Sequence, residues 1–218
     1  RPSLLMITLH TIFGKCIDWL LPDNTVVPII WGKARGKKWI KGSGNNGYWL
    51  GLYELSKQKI YSNTIKPGHV VYDIGAHVGF YTLLSSCLVG RSGRVYAFEP
   101  LPRNLLYLKN HLRLNKCENV EVIDGAILDK TQTVYFQARD NHFTGFVSDA
   151  PANSKVQAFS LDDLSRSEKI MPPNIIKIDA EGAELKVLIG GKQLLKKFHP
   201  IIFLAVHSDA LRDECSRF

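Results

Sequence analysis

Apolar residues in this chain alternate between short runs and longer periodic stretches. Val70–Tyr72 is a short apolar run that stops at Asp73, and a turn with Gly75, His77 and Gly79 follows. Phe80–Val89 is apolar almost throughout, and a second run, Arg94–Phe98, stops at Glu99. Short runs bounded by turn residues predict buried strands, and the longer stretch between them predicts a helix. Strand, tight turn, helix, strand is the first half of a nucleotide-binding βαβ unit, with an acid about 20 residues past the turn. The alternation continues with a helix over 102–114, a strand over 120–123, a strand over 174–179, a helix over 182–190 and a strand over 200–206. Strand candidates at 132–137 and 155–159 read as an antiparallel interruption.

Upstream the pattern changes. Positions 5, 9, 12, 13, 16, 17 and 20 are apolar, which is helical spacing, and His10, Lys15 and Asp18 interrupt it, so an amphipathic helix is expected rather than a membrane span. Residues 25–41 alternate around central glycines and predict a β-hairpin. A glycine-rich loop then leads to a short helix around 52–60, and Lys66-Pro67-Gly68 breaks the chain before the first core strand. The division expected is 1–65, carrying the helix, the hairpin and the lead-in helix, and 66–218, the binding domain. The fold class is α/β: a Rossmann-like, doubly wound, mostly parallel sheet with helices on both faces.

A length of 218 residues suits one such domain. The net charge of +8 is concentrated at Lys33, Arg35, Lys37, Lys38 and Lys41 in the hairpin. Lysines on a hairpin edge protect it from pairing, the reading favoured here. The same cluster could meet an anionic substrate, a membrane surface or nucleic acid. A nucleic-acid partner is not expected, whereas peripheral membrane contact through 1–41 and a homo-oligomer through the first helix are compatible with the pattern. Cys16, Cys87, Cys117 and Cys215 are scattered, which predicts free thiols in a cytoplasmic setting with neither disulfides nor a zinc site. Arg1 reads as the start of a trimmed product.

Ligands of such sheets sit outside the carboxyl ends of the strands. Asp73, Glu99, Asp124, Asp179 and His207 occupy those ends. Any one could cap the next helix, but together they describe a site. Asp73, just before the first glycine, would repel a pyrophosphate and suit a cationic ligand. That favours S-adenosyl-L-methionine over a dinucleotide.

At these residues the chain resembles the FkbM family of S-adenosylmethionine-dependent methyltransferases. The resemblance rests on Asp73-Ile74-Gly75-Ala76-His77-Val78-Gly79, Phe98-Glu99-Pro100, Leu161-Asp162-Asp163-Leu164 and Lys177-Ile178-Asp179-Ala180-Glu181-Gly182-Ala183-Glu184. It spans about residues 66–207, and Tyr48–Glu54 also resembles the segment that precedes the family's core. The resemblance implies a seven-stranded class I methyltransferase sheet and methyl transfer to a hydroxyl of a sugar or natural product. His77 stands where the family usually has asparagine, and Ala205 where it commonly carries an acid. The residues after the last strand end at Phe218, too few for the antiparallel hairpin that closes such sheets, so those strands are expected to be missing.

Glu99 is expected to accept from both ribose hydroxyls. Gly75 and Gly79 permit close backbone approach, with Asp73, His77 and Pro100 beside them. Asp124 and Gly125 are placed where related enzymes hold the adenine amine. Asp179 is expected near the methionine moiety or the acceptor hydroxyl. Asp179, Glu181 and His207 are the candidates for proton removal and acceptor positioning. Lys177, two residues before Asp179, shares its face of the strand and needs a partner. Glu184 reads as an acid at a helix start. No third metal ligand has a persuasive spacing, so no metal is expected. His142 lies in a loop long enough to cover a substrate, while Trp49 and Tyr53 read as core or lid packing.

Overall fold

The computed structural model describes residues 21–138, 145–148 and 154–218. The amphipathic helix expected before residue 21, Cys16, and His142 with the centre of its loop lie outside the described residues.

Five strands form a parallel sheet in the order β11-β10-β3-β4-β5. They are β3 (Val70–Ile74), β4 (Arg94–Glu99), β5 (Val120–Asp124), β10 (Ile175–Ile178) and β11 (Ile201–Leu204). From β3 the chain winds outward through β4 and β5, then returns to the other side of β3 with β10 and β11. The order therefore reverses at the junction of β3 and β10, so the sheet is doubly wound. Among the described residues the parallel sheet has five strands, where the full family sheet implied by the resemblance has seven.

Alternation within each strand builds the two faces. Val71, Val95 and Ile175 point to one side, with Phe80, Leu83 and Leu84 of α3 (Phe80–Val89). Val70, Tyr72, Tyr96, Phe98, Ile176 and Ile178 point to the other. They meet α5 (Leu161–Arg166), α6 (Glu184–Gly190) and α7 (Lys192–Phe198) through Leu161, Val187 and Leu194. Strands covered on both sides need apolar residues at every position. Asp73 and Lys177 break that rule together: register sets Lys177 beside Asp73, and Lys177 Nζ lies 3.1 Å from Asp73 Oδ1.

The hairpin forms as expected, with β1 (Val26–Pro28) antiparallel to β2 (Lys38–Ile40). Its buried residues Val27, Ile29 and Trp39 join the same core cluster as Val71 and Leu83. Lys41 leaves the exposed basic group: it is buried and paired with Asp23 at 3.0 Å. His111 of α4 (Pro102–Leu114) fastens the hairpin, its ring stacked on Trp39 with centroids 3.8 Å apart. Its Nε2 accepts from the Ile40 amide at 3.0 Å, so the neutral ring donates from Nδ1 to the Val78 carbonyl at 2.8 Å.

Beyond the hairpin lie α1 (Gly47–Leu50) and the lead-in helix α2 (Leu55–Thr64), which begins later than the composition suggests. The expected antiparallel interruption is a separate, mixed four-stranded sheet, β6-β9-β7-β8, in which β7 runs antiparallel to β8 and β9 while β6 runs parallel to β9. Its members are β6 (Ala126–Ile127), β7 (Gln132–Ala138), β8 (Gly145–Ser148) and β9 (Ser154–Phe159). The last helix is α8 (Asp209–Arg217). The Leu-Asp-Asp-Leu motif serves structure: Asp162 accepts from the amides of Gln193 and Leu194 and so caps α7. At the sheet margin β11 pairs only with β10 among the described residues, and Ile201 and Ile202 are exposed. Among the described residues no helix is long and apolar enough to cross a membrane.

Candidate functional site

Two adjoining cavities open at the carboxyl ends of the central strands. The larger, about 590 Å³, is bordered by the turn Gly75–His77, by Glu99–Leu101 and by Gly125–Leu128. The smaller, about 220 Å³, lies toward α2 and β11. Tyr81, Lys177 and Asp179 border both.

The turn after β3 explains its glycines. Gly75 has φ 72°, and a Cβ there would come within 1.9 Å of the Asp179 carbonyl oxygen. Gly79, at φ 94°, is the N-cap of α3, and a Cβ there would meet Leu108 at 2.5 Å. Both positions therefore need glycine for packing and for backbone conformation. The turn's amides are already engaged: Gly75 and Ala76 donate to the Phe98 carbonyl, His77 to Glu99 and Gly79 to the Ala76 carbonyl. Few remain to grip a pyrophosphate, which binds through such groups.

Asp73 does not reach the cavity. It is fully buried, accepts from the Thr82 hydroxyl at 2.6 Å and pairs with Lys177. Strand alternation aims it at α3, so its charge is met inside the protein rather than by a ligand. Lys177 also donates to the Gly75 carbonyl at 2.9 Å and lies 3.8 Å from Asp179. Burial would lower the lysine's pKa, but Asp73 and Asp179 outweigh it and hold it above the usual lysine value.

Glu99 does border the larger cavity and is 4% exposed. Its carboxylate accepts from the amides of His77 at 2.8 Å and Leu101 at 3.0 Å, and from Asn104 at 3.2 Å. A carboxylate offers about four acceptor directions, so there is room for one further donor rather than two ribose hydroxyls. Burial pushes its carboxyl up to about 7, against the pull of those donors. Pro100, His77 and Gly125 stand on the same wall. Asp124 does not: it ends the edge strand β5, exposed to solvent and away from the cavity lining. The neighbouring residues Ala126, Ile127 and Leu128 form an apolar wall instead.

Asp179 stands where the cavities meet, with its side chain 31% exposed. Burial would raise its carboxyl, but Lys177 and His207 overcome that and hold it below the usual aspartate value. His207 Nε2 is 3.0 Å from Asp179 Oδ1 and lines neither cavity, so it reaches the site through Asp179. Glu181 borders the larger cavity from the left-handed region at φ 51°. Glu184 is fully buried and accepts from the amides of Ala180 and Gly182. Asp179, Glu184 and His207 bring possible metal donors within 4.8 Å of one another. His207 lies 3.0 Å from Asp179 and 3.5 Å from Glu184, so the fold supplies the third group that spacing along the chain did not show, while the Lys177 ammonium 3.8 Å from Asp179 opposes a second cation there.

Sequence reasoning named Tyr53 as core or lid packing and missed Tyr48 as part of the cavity wall. Tyr48 and Tyr53 line the larger cavity, with rings 4.5 Å apart, and Tyr48 stacks on Phe80 at 5.2 Å. The Tyr48–Glu54 resemblance was the available signal. Trp49 is buried core, as expected.

A doubly wound sheet with a cavity beside its switch point is an α/β domain built to hold a nucleotide-like ligand. A model of the methyltransferase FkbM domain matches residues 73–217, and the chain belongs to that family. It is 26% identical over 141 residues to the hexuronic acid methyltransferase AglP of Haloferax volcanii, a match covering 61% of this chain and 54% of the relative. The chain thus spans about half the length of that curated relative. A solved FkbM methyltransferase from Methylobacillus flagellatus is 19% identical with a TM-score of 0.48, covering 74% of this chain and 44% of the other. Fibrillarin of Aeropyrum pernix, solved with S-adenosyl-L-methionine bound, is 13% identical with a TM-score of 0.45, covering 70% and 56%.

Proposed function

We propose that this protein transfers a methyl group from S-adenosylmethionine to a hydroxyl of a sugar or related natural product. The observation that carries the reading is the placement of Asp179 at the junction of a cofactor-sized cavity and a smaller one. The larger cavity suits this cofactor. Glu99, Asp179 and Glu181 face it against one ammonium, Lys177, a balance that favours a cationic ligand. The glycine cradle, the apolar wall Ala126–Leu128 and the remaining acceptor direction on Glu99 match an aminoacyl group, an aromatic base and a ribose hydroxyl. Membership of a methyltransferase family points the same way. A sugar acceptor is supported by the hexuronic acid methyltransferase among the relatives.

When bound, S-adenosylmethionine supplies a methyl group carried on a positively charged sulfur. The protein's part is alignment and proton removal. Asp179, ionised and pointing to the cavity junction, accepts the proton that leaves the acceptor hydroxyl. His207 orients that carboxylate through Nε2. Lys177 fixes the position of Asp179 and, through the Gly75 carbonyl, that of the glycine turn.

Calorimetry with S-adenosylmethionine and NAD separates this reading from a dinucleotide enzyme: only the first should bind. With an acceptor found among uronic acid and neutral sugar glycosides, Asp179→Asn, assayed at saturating cofactor, should lose turnover by ~10²–10⁴-fold. Normal turnover in that variant would remove Asp179 from proton transfer.

A further inference from the structure

The smaller cavity meets the larger one only along a shared border, and its walls are of two kinds. Tyr61, Phe203, Leu204 and Ala205 form an apolar face, while Glu54 and Lys57 form a charged rim. A ring with C–H faces and hydroxyl edges has the same division.

Glu54 is the informative residue. It is the N-cap of α2 and sits at φ 48°, the left-handed region, which costs energy for a residue other than glycine. Its carboxylate is held from two sides: the Tyr81 hydroxyl donates to Oε2 at 3.1 Å, and the Lys57 ammonium pairs with Oε1. The side chain still keeps 28% of its exposure. A carboxylate fixed in this way retains acceptor directions for a ligand. Across the cavity Ala205 offers only a methyl group, so Glu54 and Asp179 are the two carboxylates that a ligand there would meet.

We infer that the smaller cavity is the acceptor site, that it takes a polyhydroxylated ring, and that Glu54 is a specificity-determining residue. By accepting from one ring hydroxyl, Glu54 sets which other hydroxyl faces Asp179. This deepens the methyl-transfer reading and rests on it.

The test uses the full chain saturated with S-adenosylhomocysteine, with methyl glucoside and methyl glucuronoside as probes, read by saturation-transfer NMR and calorimetry. At least one probe should bind the wild type. Glu54→Gln should weaken it by roughly tenfold, the loss of one charged hydrogen bond. Ala205→Phe, which fills the cavity without touching its polar rim, should abolish binding. Both variants should hold S-adenosylhomocysteine as the wild type does, which shows that they are folded. If the probe binds both variants as it binds the wild type, Glu54 and this cavity are not the acceptor site. If S-adenosylhomocysteine binds and neither probe does, the acceptor assignment falls alone. If S-adenosylhomocysteine does not bind, the methyl-transfer reading falls and takes this inference with it.

Discussion

Glu99 is a buried carboxyl pushed up to about 7, chiefly by burial, at the edge of a cavity that would present it with a hydroxyl donor. Only the ionised form accepts that hydrogen bond while keeping its three protein donors. Cofactor affinity should therefore rise with pH through about 7, by roughly tenfold between pH 6 and pH 8. Isothermal titration across that range checks it, and Glu99→Gln should flatten the profile. In the protein without ligand the sign is reversed. A carboxyl raised above its unfolded value contributes stability below the unfolded pKa, and that contribution is lost as pH rises toward 7. Glu99 was legible because acid and strand end are both sequence features. The burial of Asp73 was not, because the chain alone does not show that register places Lys177 beside it. Glu54 was passed over for a similar reason: its partner Tyr81 is 27 residues away in the chain.

Elements were legible where a period was long or a boundary was marked. Helix 102–114 and strand 70–74 fall where the pattern puts them. The two-residue β6, and β8 at the far end of its own sheet, have too few residues to show a period. Nor did the pattern reveal the polar ties of the hairpin to α4, which are the neutral ring of His111 at Ile40 and the Asn115 amide at Lys38. Burial pulls that imidazole down to about 4, although its bond to the Val78 carbonyl works the other way. Its folded pKa is thus below the unfolded one. The stability it contributes is complete above about 6.5 and is lost as pH falls toward 4. The full loss is on the order of 3 kcal/mol. Glu99 works in the opposite direction over an overlapping range, so the clean measurement is made in a Glu99→Gln background. There the urea midpoint should drop between pH 6.5 and pH 4.5, and adding His111→Gln should remove the slope. An unchanged slope would show that the hairpin is not fastened through a neutral ring.

At the scale of the molecule, the exposed margin of β11 has a colloidal consequence. Among the described residues β11 has one unpaired side, which presents a row of amide and carbonyl groups, and Ile201 and Ile202 accompany them. Two copies of this chain could join along that margin, and the force that keeps them apart is mutual repulsion from a net charge of +8. Such repulsion is screened over about 10 Å in 0.1 M salt and over about 3 Å in 1 M. Added salt, which usually weakens contacts between charged proteins, should here promote self-association. Sedimentation velocity at rising sodium chloride should show growing dimer, and Ile202→Lys, which places a charge on the margin, should hold the chain monomeric. A monomer at every salt concentration would mean that the margin is shielded in solution.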